Sequence, residues 1–200
     1  AQGKTNLLES LFVMGLAKSF RTNRDQDMIA FEENRAKVRS LVCKESPVGE
    51  EEETEIEITY SKNGKLIKVN GVMLAKTMDL LENVFIVIFS PEDMKTIKDG
   101  PDNRRRFIDR ELCQIKPIYY INLANYKKVL RQRNALIKQG NRDKELVRVY
   151  DEALSRYGTE ILEERDDFIE KIGNISGKIH EEISGKKEKL RLTYESTIPK

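Results

Sequence analysis

Metal-ligating and redox-active side chains are scarce in this chain. Cys43 and Cys113 are its two cysteines, 70 residues apart, and His180 is its one histidine. A zinc site takes several thiolate or imidazole ligands at close spacing, so structural zinc is excluded and two reduced thiols are expected. Long apolar runs are lacking as well. No stretch approaches the roughly 18 residues of a membrane span, so no membrane partner is expected. No basic-then-apolar leader with a small-residue cleavage site is visible, which points to the cytoplasm. What is abundant is charge: 35% of the 200 residues are Asp, Glu, Lys or Arg, against 38% hydrophobic. That balance fits a helix-rich protein of one domain or two small ones with a real core. The formal net charge of +2 says less than its distribution does.

Gly3, Lys4 and Thr5 match the last three positions of the phosphate-binding loop G-x-x-x-x-G-K-[ST]. The first glycine of that pattern falls ahead of Ala1. Leu7, Leu8, Leu11, Phe12 and Leu16 recur at helical spacing, predicting a buried helix that opens at the loop. The chemistry needs a helix there, because its free N–H groups and dipole meet phosphates. Lys4 would neutralise β- and γ-phosphate oxygens, and the Thr5 hydroxyl would hold Mg²⁺. The alternative is a loose tail leading into an ordinary amphipathic helix.

Strand signals follow. Lys37–Lys44 is rich in Val and Leu, and Ile56, Ile58 and Tyr60 alternate with polar residues over Glu55–Ser61. Asn63-Gly64 signals a hairpin, Leu66–Asn70 returns, and Asn70-Gly71 marks another turn. Pro47–Glu53 reads as a solvated acidic loop. Met73–Leu81 suggests a short helix, and the apolar run Val84–Phe89 a strand buried on both faces. Ser90 suits an N-cap, Pro91 a first helical position and Asp93 the third residue after the cap. Gly100-Pro101 is a second helix start, Pro117 a third, and Gly140-Asn141 a turn.

Two long helices are expected beyond Pro117. Ile118, Ile121, Val129, Leu130, Leu136 and Ile137 would mark the apolar side of the first. The second should run from about 142 to 184 with coiled-coil-like spacing, weakened at Gly158, Gly173 and Gly177. Residues 101–148 hold 13 Lys/Arg against 5 Asp/Glu, and residues 151–184 hold 4 against 10. Opposite charge favours antiparallel pairing of the two as a projecting arm. Leu190, Leu192 and Tyr194 alternate like a strand. The expected layout is a partial head over 1–100, a helical arm over 101–186, and a return to the head over 187–200.

Three segments resemble the RecF family: Ala1-Gln2-Gly3-Lys4-Thr5-Asn6-Leu7-Leu8-Glu9, Phe89-Ser90-Pro91-Glu92-Asp93, and Gly100-Pro101 followed by Arg104-Arg105-Arg106-Phe107-Ile108-Asp109. Tyr126–Leu136 is a weaker fourth. The resemblance implies an α/β fold: part of a P-loop, ABC-type ATPase head, similar to that of SMC and Rad50 proteins, with an inserted antiparallel helical arm. It implies ATP and Mg²⁺ as cofactors, an ATP-dependent homodimer, and DNA at single-strand/double-strand gap junctions as the partner. RecO and RecR would act with it to load RecA in recombinational repair and the SOS response. Ala1, Gln2, Gly3, Lys4, Thr5 and Asn6 become nucleotide-binding residues, with Thr5 at the metal. Glu92 and Asp93 fall where related ATPases carry a loop near the γ-phosphate. No Walker B strand and no signature loop occur within the 200 residues. The chain is therefore expected not to hydrolyse ATP alone, whereas the complete protein would be a weak ATPase.

Other residues carry open alternatives. Arg21 could reach the nucleotide. Arg104, Arg105 and Arg106 point about 100° apart on a helix; Arg106 and Arg110 share a face. They could contact phosphates of ATP or DNA, or pair with Asp109 or Glu111. Lys127, Lys128, Arg131, Arg133 and Lys138 could track DNA phosphates, or pair with the acidic second helix. His180 is expected to be exposed. A helical interaction module without nucleotide chemistry, with Gly-Lys-Thr incidental, is the competing function. A P-loop enzyme of small-molecule metabolism, such as a kinase, fits the triplet but not the arm.

Overall fold

A computed structural model describes residues 3–22, 24–45, 51–81, 83–89, 91–94, 98, 100–140 and 143–196. The chain forms two compact units, Ala1–Met94 and Lys95–Lys200.

The first unit opens with helix α1, Lys4–Leu16, and continues into an antiparallel meander of β1 (Arg35–Glu45), β2 (Glu51–Ser61), β3 (Gly64–Val69) and β4 (Val72–Met73). Register puts apolar residues of neighbouring strands in line on one face: Val38 opposite Ile58 and Ile58 opposite Ile67. Charged pairs such as Lys37 Nζ to Glu57 Oε2 at 3.0 Å lie on the other. The β1–β2 hairpin runs to Glu45 opposite Glu51, so Glu51–Glu53 of the expected acidic loop are strand. The β2–β3 turn falls one residue earlier than Asn63-Gly64, at Lys62-Asn63, with Gly64 at φ 120° on β3. At the next turn Asn70 and Gly71 both take positive φ, 50° and 79°, the type I′ geometry that suits a two-residue hairpin.

Val13, Met14 and Ala17 of α1 pack on Ile56, Ile58, Tyr60 and Ile67 of the sheet, with Leu80 beneath them. Two expectations fail here. The α1 leucines predicted to be buried are not: Leu7 is 64% exposed, and Leu8 and Leu11 are exposed too. The described sheet covers only the C-terminal half of the helix. Val84–Phe89 has no regular secondary structure and pairs with no described strand. Val84 and Ile86 pack on the core, whereas Phe85, Val87 and Phe89 face outward, Val87 88% exposed. Burial is thus on one face, not two. The Met73–Leu81 helix shortens to a 3₁₀ turn at Thr77–Leu80, since Val72–Met73 is taken by β4.

The second unit is three helices: α2 (Pro101–Ile115), α3 (Pro117–Lys138) and α4 (Lys144–Ile183). Proline opens α2 and α3, where its missing N–H has no helical partner to lose. Asp143 caps α4, its Oδ1 accepting the N–H groups of Glu145 at 3.0 Å and Leu146 at 3.1 Å. The 40 residues of α4 span roughly 60 Å at 1.5 Å rise per residue. Its glycines do not interrupt it. They are seats for other segments: a Cβ on Gly158 would lie 3.5 Å from the Tyr126 ring, one on Gly173 3.4 Å from Leu192 Cβ, and one on Gly177 3.2 Å from the Leu190 carbonyl. The strand-like 190–194 segment therefore lies along α4, unpaired with any described strand.

Helices α3 and α4 are antiparallel, tied by Arg133 to Asp151, Asn122 to Glu160 and Lys116 to Glu164. The core holds Ile108, Leu112, Tyr119, Leu123 and Ile161. The apolar side of α3 is rotated from the expected one: Tyr119, Leu123 and Tyr126 pack inward, while Ile118, Ile121 and Ile137 are exposed. The aromatic rings win the inward face because they bury more apolar area per position.

Candidate nucleotide-binding site

Gly3 stands at φ 108° immediately before Lys4, a conformation that glycine adopts without the Cβ penalty. It turns the chain straight into α1. The carbonyl of Gly3 accepts the N–H of Leu7 at 2.9 Å, so the N–H groups of Lys4, Thr5 and Asn6 have no intrahelical acceptor. Among the described residues, no side chain caps this end and no acidic residue occupies the first turn. Lys4, Thr5 and Asn6 are exposed. The positive end of the helix is thus uncompensated among the described residues, which is the arrangement an anion requires. Ala1 and Gln2 lie outside the described residues.

A second cation stands beside this end. Arg21 Nη1 lies 3.2 Å from Asn6 Oδ1 and 3.2 Å from Glu9 Oε2. The loop that carries it is folded around the Ser19 hydroxyl, which accepts the N–H groups of Arg21 at 2.8 Å and Thr22 at 3.1 Å and donates to Glu9 Oε1. Phe20 packs edge-on against Phe12, ring centroids 5.4 Å apart. At the other end of α1, Lys65 Nζ donates to the Ala17 carbonyl at 2.8 Å and pairs with Asp25 at 3.2 Å.

The Ser90 cap falls outside the described residues. A helical element does start at Pro91, described as the four-residue 3₁₀ turn Pro91–Met94, and of Glu92 the backbone alone is described. Asp93 is half-buried.

The basic residues of the second unit divide. Arg105 pairs with Asp102 at 2.8 Å and Arg110 with Glu111 at 2.8 Å, while Asp109, offered as a partner for the Arg104–Arg106 cluster, is taken by Arg165 at 2.7 Å. Arg104 and Arg106 are exposed. Arg133 follows the alternative of pairing with the acidic helix. Lys127, Lys128 and Arg131 are exposed and make no ion pair among the described residues. Lys127, Arg131 and Lys138 follow one another along one face of α3. His180 is half-buried, not exposed, its Nε2 3.6 Å from Glu188.

Sequence reasoning missed a clamp inside the second unit. Arg165 Nε and Nη2 both donate to Asp109 Oδ1, at 3.0 and 2.7 Å, and Tyr119 Oη donates to the same oxygen at 2.5 Å. Burial would lower the Arg165 pKa, but the Tyr194 hydroxyl and the Asp109 carboxylate outweigh it and raise it. Burial, then the Asp109 carboxylate, pushes the Tyr119 hydroxyl up. The signal available was one buried-type Arg among eleven acidic residues of α4, too weak to single out.

A helix opened by Gly-Lys-Thr on an antiparallel meander, with a long antiparallel helix pair further along the chain, makes an α/β fold. No protein-family model matches the chain. It is 41% identical over 200 residues, 99% of its length, to the DNA replication and repair protein RecF of Clostridium botulinum strain Loch Maree, and 41% over 197 residues to RecF of Clostridioides difficile. It covers 54% and 52% of those proteins, so the chain spans about half the length of the curated relatives it matches. Two solved structures of the recombination mediator protein RecF in the RecFOR pathway, RecF-ATP and RecF-ATPrS, superpose with TM-scores of 0.85 and 0.83 at 38% and 37% identity, over 92% of this chain and 50% of theirs. The chain is homologous to RecF along its whole length.

Proposed function

We propose that this chain serves as part of an ATP-dependent DNA-binding protein of recombinational repair and replication-gap processing, as RecF does. The observation that carries the reading is the start of α1 at Gly3-Lys4-Thr5, uncapped among the described residues, within a chain homologous throughout to proteins named for DNA replication and repair. The residues fit a nucleotide: the first-turn N–H groups of α1, with Ala1, Gln2 and Gly3, would cradle the phosphates, Lys4 would neutralise β/γ oxygens, and Thr5 would hold Mg²⁺. When bound, Mg²⁺ supplies charge neutralisation between the β- and γ-phosphates. Arg21 would approach the same anion, and Glu92 or Asp93 would sit near its terminal phosphate. The layout is a head over 1–100 and 187–200 with an arm over 101–186. ATP would drive homodimerisation of two heads around DNA. Arg104, Arg105, Arg106, Lys127, Lys128 and Arg131 supply candidate phosphate contacts, of which Arg106, Lys127, Lys128 and Arg131 are exposed and outside the described ion pairs. RecO and RecR are the proposed protein partners in loading RecA, and the cytoplasm the compartment. The 200 residues alone would not hydrolyse ATP.

The test uses the complete protein, wild type against Lys4→Met. Loss of ATP binding and of ATP-dependent DNA binding is expected. Unchanged behaviour in both would mean that Gly-Lys-Thr is incidental and would leave a helical interaction module. If the α3 face contacts duplex phosphates, removing Lys127 and Arg131 together should flatten the salt dependence of DNA binding by about 2 units of slope.

A further inference from the structure

We propose that Glu9 is a positioning residue, holding the Arg21 guanidinium beside Thr5 so that the site prefers a nucleoside triphosphate to a diphosphate. This rests on the nucleotide site proposed above. Thr5 and Glu9 are four residues apart on α1, on one face and about one helical turn from each other. Asn6 lies beside them. Arg21 Nη1 sits between Asn6 Oδ1 and Glu9 Oε2, 3.2 Å from each. Both Glu9 oxygens are used: Oε2 holds the guanidinium, and Oε1 accepts from the Ser19 hydroxyl. Through Ser19, which takes the N–H groups of Arg21 and Thr22, Glu9 fixes the backbone of the loop as well as the end of the side chain.

The arrangement is asymmetric. The Glu9 side chain is 12% exposed and that of Arg21 52% exposed. One guanidinium nitrogen is spent on the anchor; Nε and Nη2 make no hydrogen bond among the described residues. An exposed ion pair does little for stability. A pair that buries the anion's end and leaves two donors outward does suit a ligand, because a planar guanidinium recognises phosphate through paired N–H groups. Thr5 would hold Mg²⁺, whose charge would neutralise the phosphates, and a guanidinium on the same face of α1 would meet the terminal phosphate of a triphosphate. A bare carboxylate at Glu9 would repel that phosphate. Pairing with Arg21 makes it an anchor.

The experiment measures ATP and ADP dissociation constants of the complete protein for wild type, Arg21→Ala, Glu9→Gln, the double variant, Ser19→Ala and Lys4→Met, with a thermal melt of each. Arg21→Ala should weaken ATP about tenfold, the worth of one hydrogen bond to a charged group, and ADP less than about twofold. Glu9→Gln and Ser19→Ala should give smaller losses of the same selectivity, and the double variant should match Arg21→Ala, since residues acting as a unit are not additive. Equal losses for ATP and ADP, or additive losses in the double variant, would overturn the proposal. If Glu9→Gln fails to fold, Ser19→Ala decides on the same criterion. Unchanged ATP binding in Lys4→Met would instead sink the underlying nucleotide reading.

Discussion

The two units are held together in opposite ways. In the first, one helix face and one sheet face make an apolar core with few polar bonds inside it; large apolar side chains stay outside in both units, Leu7, Leu8, Leu11, Phe85, Val87 and Phe89 in the first, Ile118, Ile175 and Ile183 among those in the second. In the second, a smaller apolar core is braced by polar bonds between elements: Asp109 and Arg165 between α2 and α4, Asn122 and Glu160 between α3 and α4. A core of apolar contacts degrades gradually as area is lost, about 25 cal/mol per Å². A buried ion pair fails abruptly when one partner goes, because the other is left charged and dry.

The sharpest way to break the comparison is at Asp109. Asp109→Ala strands the Arg165 guanidinium, whose side chain is 12% exposed, and should destabilise the second unit by about 3–5 kcal/mol. Replacing both, Asp109→Leu with Arg165→Met, should recover most of that loss. Chemical denaturation of the three proteins, followed by helical circular dichroism, measures it. If Asp109→Ala costs no more than a surface substitution, the clamp is ornamental and the two units are not different in kind.

The first unit should respond to volume instead. A Cβ at Gly15 would stand 2.8 Å from Ile86 Cγ1 and Cδ1 and 3.2 Å from its Cβ. Gly15→Ala should therefore cost about 1–3 kcal/mol by overpacking, despite alanine's better helix propensity. Ile86→Val should relieve part of it. A stabilised Gly15→Ala protein would show that the 83–89 segment is not seated on α1. The outward apolar residues make a related expectation: the 200-residue chain should bind a hydrophobic dye, and replacing Phe85, Val87 and Phe89 by threonine should reduce the signal more than any equal change in the second unit.

Much of this was readable in the residues, for physical reasons that differ by element. Pro101, Pro117 and Asp143 mark helix starts because each acts locally on orphan N–H groups. Asn70-Gly71 fixes its turn because positive φ is a one-residue property. Gly3-Lys4-Thr5 is legible because chemistry at a helix start is written in consecutive positions. What spacing could not show is which face of an element finds a neighbour. Leu7 and Leu11 have the period of a buried stripe, yet burial falls to Val13 and Met14. Ile118 and Ile121 have it as well, yet Tyr119 and Leu123 are inside. Glu9 was legible only as a helical carboxylate, because its partners Ser19 and Arg21 are 10 and 12 residues away. Arg165 and Asp109 are 56 apart, beyond any local pattern.

Smaller effects should come from surface pairs, and these do not distinguish the units. Arg133→Ala removes the pair with Asp151 and should cost about 0.2–1 kcal/mol, a loss that 1 M salt should largely erase.

Lys37 and Lys171 give the smallest effect and the most exact sign. Lys37 Nζ lies 3.0 Å from Glu57 Oε2 on the sheet, and Lys171 Nζ 2.7 Å from Asp167 Oδ2 on α4. The hydrogen bond from Lys37 lowers the Glu57 pKa below 4.5, and that from Lys171 lowers the Asp167 pKa below 3.8. A carboxylate whose folded pKa is depressed stabilises the fold above its unfolded pKa. That contribution fades as pH falls through the folded value. Lys37→Met should therefore lower the melting temperature slightly at neutral pH, by an amount that vanishes once pH has fallen below the folded Glu57 value and the carboxyl is protonated in both proteins. Lys171→Met should behave alike, with its change beginning at lower pH because Asp167 starts from a lower value. A loss that persists undiminished into acid would mean that the lysine stems contribute by covering apolar surface, not by charge.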